Sequence, residues 1–493
     1  MEGEEEEEFA YPELQLKKEQ IEQLQSLMDA IEQGTPLEEW HAPRGWLFYS
    51  RSHFGKGDTP LTWAARHGNT EATAWLIEKY SGGTSTSLAL TNGWLDEHLP
   101  GAERSGLEYT TRAGAGPLMI ACTHGHVECA RLLLGAGAAV GTPSSHGRTP
   151  LSAAIKHGNI ECARLLVGAG AAVGTASSNG ITPLLTAVKY GHIECARLLL
   201  SAGAAVDTTE NSHTALFAAC NNGLTECARL LLERGAAVDQ ATMNSGTTPL
   251  FAASRYGHVE CVRLLLGAGA AVETGRTGGT STPLDAAVKH NHAECARLLL
   301  EAGATVDTAK ANGRTSLFTA VRWCYIDCVK LLSSYGACRQ VQRGPSVSMT
   351  AEAVSRHFHG DTCTEWLVLS RHWSPLHHIE VLTLERARAL LRGDADLHLK
   401  PAADVPTPLE RALLLAPGCA VASLVVRAAG PWSVQSHELF SDANRARAAT
   451  LARSLYHVYL RRMGNGGWQA VDFVRAVLPF AVVRGMTVDT TVG

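Results

Sequence analysis

The chain has 493 residues, 45% hydrophobic and 18% charged, with a net charge of −5. That length calls for several cores or one long array. A near-balanced charge excludes a global field drawing the protein onto nucleic acid or an anionic membrane, and no apolar run reaches the roughly 18 residues of a membrane span.

Residues 1–12 form a Glu-rich tail, expected to be disordered. They carry no basic-then-apolar signal segment. With thirteen cysteines, an odd number, the expected setting is reducing and cytoplasmic, with the nucleus as the alternative and most thiols free. In residues 13–56, Leu16, Ile21, Leu24, Leu27, Met28 and Ile31 recur at helical spacing. They predict an amphipathic helix that caps the array behind it.

From residue 57 the sequence repeats itself. Cys129, Cys162, Cys195, Cys227, Cys261, Cys295 and Cys328 stand about 33 residues apart, the repeat length expected of stacked helical units. Pro117, Pro150, Pro183, Ala215, Pro249, Pro283 and Ser316 keep the same phase, as do Gly137, Gly170, Gly203, Gly235, Gly269, Gly303 and Gly336. Within one unit, Thr149 is placed to cap a helix whose first position is Pro150, and Gly158 ends it. Cys162, Leu165 and Leu166 then make the apolar stripe of a second helix, which Gly170 stops. A column of alanines (Ala64, Ala121, Ala154, Ala187, Ala219, Ala253, Ala287, Ala320) predicts close helix approach.

The stretch 147–166, Gly-Arg-Thr-Pro-Leu-Ser-Ala-Ala-Ile-Lys-His-Gly-Asn-Ile-Glu-Cys-Ala-Arg-Leu-Leu, resembles the ankyrin repeat, with its 33-residue period and Thr-Pro-Leu-His-x-Ala signature. So does 57–69. The resemblance is strong over about 115–340. It implies an all-α ankyrin-repeat solenoid of helix-turn-helix units with β-hairpin fingers. The expected organisation is a first repeat at 57–80, an insertion at 81–116, seven regular repeats at 117–340 and degenerate ankyrin-like repeats at 341–430. A C-terminal helical module follows at 431–493. The insertion reads either as a lengthened finger or as a binding loop.

Within that last module, helical spacing runs over 441–462 and again over 468–480. A closing helical hairpin is the plain reading. Thr450-Leu451-Ala-Arg-Ser454-Leu455 faintly resembles the SOCS box by which some ankyrin proteins recruit ubiquitin-ligase components, but Leu455 stands where that box wants a small or thiol residue. An F-box reading of Leu478-Pro479-Phe480 has no better support.

No catalytic, cofactor or metal site is expected. Cys122, His124, His126 and Cys129 have zinc-like spacing, yet Cys129 belongs to the apolar column and His126 to the position that opens each second helix. The cysteine column reads as small buried apolar residues. Gly55-Lys56 lacks the earlier glycine and the Ser or Thr of a phosphate-binding loop. The Glu-Arg pairs from Glu128/Arg131 to Glu294/Arg297 read as a solvated outer face.

The two positions before each helix-ending glycine differ. They hold Arg66-His67, Thr123-His124, Lys156-His157, Lys189-Tyr190, Asn221-Asn222, Arg255-Tyr256, Lys289-His290 and Arg322-Trp323. The resemblance implies that these face the concave groove. The ladder of cations beside rings suits a protein partner with acidic and apolar features, since Arg, Tyr and Trp are enriched in binding hot spots. The expectation is therefore a monomeric, non-catalytic scaffold binding other proteins rather than nucleic acid or membrane. Substrate recognition for a ubiquitin ligase is the alternative.

Overall fold

The computed structural model describes residues 26–27, 29–33, 59–81, 111, 114–209, 213–243, 245–275, 281–310, 313–342, 348–358, 361–400, 402, 405–415, 418–429, 437–439 and 442. The acidic tail, nearly all of the 81–116 insertion and nearly all of 431–493 lie outside them. The chain divides into two compact units, 1–244 and 245–493.

Among its described residues the first unit stacks five helix pairs: α1 (Pro60–His67) with α2 (Thr70–Ser81), α3 (Pro117–His124) with α4 (Val127–Gly135), α5 (Pro150–Lys156) with α6 (Ile160–Gly168), α7 (Pro183–Lys189) with α8 (Ile193–Ser201), and α9 (Ala215–Asn221) with α10 (Thr225–Glu233). First helices pack on first helices and second on second. Thr59, Thr149, Thr182 and Thr214 each accept a hydrogen bond from the backbone N–H three residues on. This satisfies one of the donors a helix start leaves open. The alanine column, Ala64 through Ala219, is fully buried, as are Cys129 and Cys162. An alanine there lets neighbouring helix backbones approach, so the core is made of many short contacts. Leu27 and Ile31 are buried as well, and the Asn69 side-chain N–H donates to the Ile31 carbonyl at 2.8 Å.

Among the described residues of this unit, the loops between pairs form turns without strands. Ser144 and Arg148 are joined by a backbone hydrogen bond of 2.8 Å around Gly147, whose φ is +66°. Neighbouring tips are tied together: the Ser178 hydroxyl donates to the His146 carbonyl at 2.7 Å.

Among its described residues the second unit holds six pairs. Three are regular: α11 (Pro249–Tyr256) with α12 (Val259–Gly267), α13 (Pro283–Lys289) with α14 (Ala293–Glu301), and α15 (Ser316–Arg322) with α16 (Ile326–Ser334). The one strand pair among the described residues follows, β1 (Gln340–Gln342) antiparallel to β2 (Ser348–Thr350). Beyond it come α17 (Ala351–Phe358) with α18 (Asp361–Leu369), a 3-10 turn (Pro375–His377) with α19 (Leu384–Arg392), and α20 (Pro408–Leu415) with α21 (Ala420–Ala429). The phrase Ser374-Pro-Leu-His-His thus opens a single turn rather than a full first helix. His377 closes a capping box at its start, taking up the Ser374 backbone N–H at 2.9 Å, and its other nitrogen bonds the Pro406 carbonyl at 3.0 Å.

These last pairs are held by large polar and aromatic groups. Arg339 donates to the Leu367 carbonyl (2.8 Å) and the Ser370 hydroxyl (2.9 Å) and lies 3.9 Å from buried Glu352. Arg411 donates to the His377 carbonyl and to Glu380, both at 2.9 Å, with its guanidinium 4.0 Å from the Trp373 ring centre. His378 is buried against Trp366 and Trp373.

Candidate protein-binding face

The exposed ladder follows from the way each first helix ends. The last carbonyls of such a helix have no partner inside it. In the first unit the next pair supplies one. His126 Nε2 donates to the Arg66 carbonyl at 2.9 Å, and Asn159 donates to the Cys122 and Thr123 carbonyls at 2.8 and 2.9 Å. His192 Nε2 does the same for Lys156 at 3.3 Å. Sequence reading assigned these His and Asn residues to opening the second helix. They do stand at the N-cap of their second helices, but none of His126, Asn159 and His192 makes a side-chain cap there; their side chains reach back across the stack instead.

This contact fixes the glycine between rungs. Gly158 has φ +73°, and a β-carbon there would stand 2.8 Å from the His192 ring. Any side chain would therefore meet both a strained backbone and an occupied space.

With their carbonyls held, the ladder side chains face outward. In the first unit, Arg66 and Lys156 are half-buried, while His67, His124, His157, Lys189 and Tyr190 are exposed. The His67 ring lies 4.7 Å from Trp63, His124 stacks on His126 at 6.1 Å, and Tyr190 stacks on His192 at 6.2 Å. Asn221 donates to Asn222 at 3.2 Å, making a neutral rung. The Thr123 hydroxyl is taken by the Met119 carbonyl.

In the second unit the rungs carry more aromatic surface. Tyr256 is 48% exposed and Trp323 is 51% exposed. Each lies beside its own arginine: Arg255 stands 5.5 Å from the Tyr256 ring centre and Arg322 stands 5.6 Å from that of Trp323. Tyr256 stacks on His258, and His290 stacks on His292. Arg322 also lies 5.1 Å from the ring centre of Phe358, which is 41% exposed. Sequence reading missed Phe358 because its pair lacks the Thr-Pro start. The glycine at 360, two positions on, was the available signal.

Burial, and then the neighbouring cations, hold several ladder imidazoles below the usual histidine range. For His124 the first such cation is Arg66, for His157 it is Lys156 and for His290 it is Lys289. These rings are neutral at pH 7, so they offer stacking surface and hydrogen bonds while Arg and Lys carry the charge.

The zinc-like residues are engaged elsewhere. Cys129 accepts from the Thr73 hydroxyl at 3.5 Å, and His126 serves Arg66. The hydrogen bond between Cys122 and Cys162, and then burial, push the Cys122 thiol up. Burial also raises Cys295 to about 11 and Cys328 to about 12. Thiols of that kind stay protonated and unreactive at neutral pH. On the other face, exposed Glu-Arg pairs recur at 3.3–3.8 Å, from Glu128–Arg131 to Glu260–Arg263. There the charges cancel locally.

A family model for ankyrin repeats in three copies matches six overlapping stretches that together run from residue 27 to residue 343. Among curated proteins nothing matches. Among solved structures, the crystal structure of the human ASB11 ankyrin repeat domain is similar, at 30% identity over 41% of this chain and 90% of that one, with a TM-score of 0.39. No helix among the described residues is long and apolar enough to cross a membrane.

Proposed function

Because the chain belongs to the ankyrin-repeat family, whose members are generally non-catalytic and bind other proteins, we propose that it is a scaffold whose ladder face captures a partner protein with acidic and apolar features. One observation carries this reading. In the second unit, Arg255 and Arg322 lie beside exposed Tyr256 and Trp323. Among the described residues, no carboxylate pairs with Arg255, Lys289 or Arg322. Cations left without an internal partner beside exposed rings match the composition of binding hot spots. The cost of ordering them is small, because each arginine already rests on its ring.

The Glu-Arg face does not offer such a surface, since exposed i, i+3 pairs are screened and contribute only about 0.2–0.5 kcal/mol each. Its balanced charge also argues against nucleic acid. Measured DNA or RNA affinity with a steep salt dependence would contradict the proposal. The test is co-purification from the native cell of the wild-type chain and a variant with Arg255, Tyr256, Arg322 and Trp323 replaced by alanine. The expected result is loss of the partner with an unchanged circular dichroism spectrum. Unchanged capture refutes the ladder as the binding face.

A further inference from the structure

Two non-glycine residues stand where the regular repeats keep glycine. The residue that turns the chain from first helix to second has a positive φ, and from Gly68 through Gly257 it is glycine. In the second unit it becomes Asn291, with φ +60°, and then Cys324, with φ +55°. Asparagine tolerates this backbone because its short amide bonds locally, whereas cysteine has no such relief. Residues held in such strain cluster at functional sites.

One repeat earlier, the structure shows what a side chain at this position reaches. The Cys328 thiol donates to the Asn291 side-chain oxygen at 3.6 Å. Cys328 is the column cysteine of the next pair. Cys324 meets its own next column cysteine in the same way: the Cys324 and Cys363 thiols share a hydrogen bond. The sequence also removes a competitor. In the regular repeats a residue three before the column cysteine crowds the turn, as the His192 ring does 2.8 Å from where a β-carbon at Gly158 would stand. Three before Cys363 the sequence has glycine, so no such ring opposes Cys324.

The two sulfurs differ in access. Cys363 is buried, and burial before other causes pushes its thiol up to about 11. Alone it would be as inert as Cys295 and Cys328. The Ser355 hydroxyl, within hydrogen-bonding reach, favours its thiolate. Cys324 is only half-buried, so a small oxidant meets it first.

We propose that Cys324 and Cys363 are a peroxide-sensitive pair that closes into a reversible disulfide between neighbouring repeats. The oxidant is a hydroperoxide, with hydrogen peroxide the simplest. The Cys324 sulfur attacks one peroxide oxygen, the O–O bond breaks, and hydroxide leaves with the thiol proton as water. Cys324 is then a sulfenic acid. The Cys363 sulfur attacks the Cys324 sulfur, the S–O bond breaks, and hydroxide leaves with the Cys363 proton as a second water. The two sulfurs lose two electrons and the peroxide gains them. Two equivalents of a thiol reductant restore both cysteines and leave as their own disulfide. The bond joins the turn that follows Trp323 to α18.

The test treats the full reduced chain with hydrogen peroxide, blocks free thiols with N-ethylmaleimide and maps tryptic peptides by mass spectrometry, with and without reductant. The expected product is a reducible link from Cys324 to Cys363, distinguished from Cys328 by fragmentation. Cys122 and Cys162 also share a hydrogen bond but are both fully buried, and should link at least tenfold more slowly. Cys324→Gly restores the regular residue. It should keep the circular dichroism spectrum, lose the link and leave Cys363 a free thiol. Cys324 remaining a thiol, or passing to sulfinic acid with Cys363 unchanged, overturns the proposal. So does a link that forms only after unfolding in urea, or pairing of Cys324 with exposed Cys338 instead. Equal linking of Cys122 to Cys162 also overturns it, because thiol proximity alone then decides.

Discussion

The regular repeats and the terminal pairs at 351–429 solve one stacking problem with opposite materials. In the regular repeats each interface is built from the same small residues. Ala154, Ala187, Ala253 and Ala287 are fully buried, with a buried cysteine and leucines in each pair. In the terminal pairs, Arg339, Glu352, Trp366, Trp373, His377, His378 and Arg411 form one connected set of ion pairs, stacked rings and backbone contacts. Such a set is stiff when complete and costly when any member is missing. The comparison teaches that the regular repeats tolerate change in their polar surface, which frees the ladder for partners. The terminal pairs have spent their polar groups on themselves.

The largest expected effect lies in the terminal set. Arg339→Ala leaves Glu352 buried beside only Arg371, at 3.8 Å, and strips donors from the Leu367 carbonyl and Ser370. Breaking a buried ion pair in this way costs about 3–5 kcal/mol, which urea unfolding monitored by tryptophan fluorescence would register as a lower midpoint. A midpoint within error of wild type breaks the contrast.

In the regular repeats, Ala187→Leu forces a larger side chain between close helices. Overpacking of that kind costs on the order of 1–3 kcal/mol. Differential scanning calorimetry would show the thermal midpoint fall; no shift would mean the alanine column is not a close contact.

Acid should separate the regions next. Burial first, then Arg339, His377 and Arg411, push His378 down from 6.5 to about 3. The unfolded chain protonates this ring near its ordinary value, whereas the folded chain does not. Its contribution to stability is therefore complete above about pH 6.5 and lost as pH falls toward about 3. That amounts to about 2 kcal/mol by pH 5. His377 and His378 are the only buried histidines among the described residues. Hydrogen exchange at pH 5 should thus open 351–429 before 117–233. The reverse order would contradict the assignment.

Smaller still is Thr182→Ala, which removes the cap accepting from the Leu185 N–H at 3.3 Å and should cost about 1 kcal/mol in chemical unfolding. The smallest is Glu161→Ala on the exposed Glu-Arg face, expected to change stability by no more than about 0.5 kcal/mol.

The repeat, its threonine caps and its buried alanine and cysteine columns were legible because each is a local rule repeated in phase. Three features were not. The back-reach of His126, Asn159 and His192 joins residues 36–60 apart in the chain, and nothing within one repeat announces it. The 3-10 turn at Pro375–His377 keeps the Ser-Pro start of a helix, but the His377 ring spends itself on Ser374 and Pro406. Phe358 joins the ladder only because α17 packs beside α15. The ladder itself was visible as a pattern of residue types. The pairing of Arg322 with two rings depends on three-dimensional proximity.

If the ladder, rather than the Glu-Arg face, holds the partner, the two surfaces separate in one experiment. The direct measurement is quantitative co-purification from the native cell of three proteins: the wild type, the Arg255, Tyr256, Arg322, Trp323 alanine variant, and an alanine variant of Glu194, Arg197, Glu260 and Arg263. All three should show the same thermal midpoint within a few degrees. Only the ladder variant is expected to lose its partner. Retention by the ladder variant, or loss by the Glu-Arg variant alone, would contradict it.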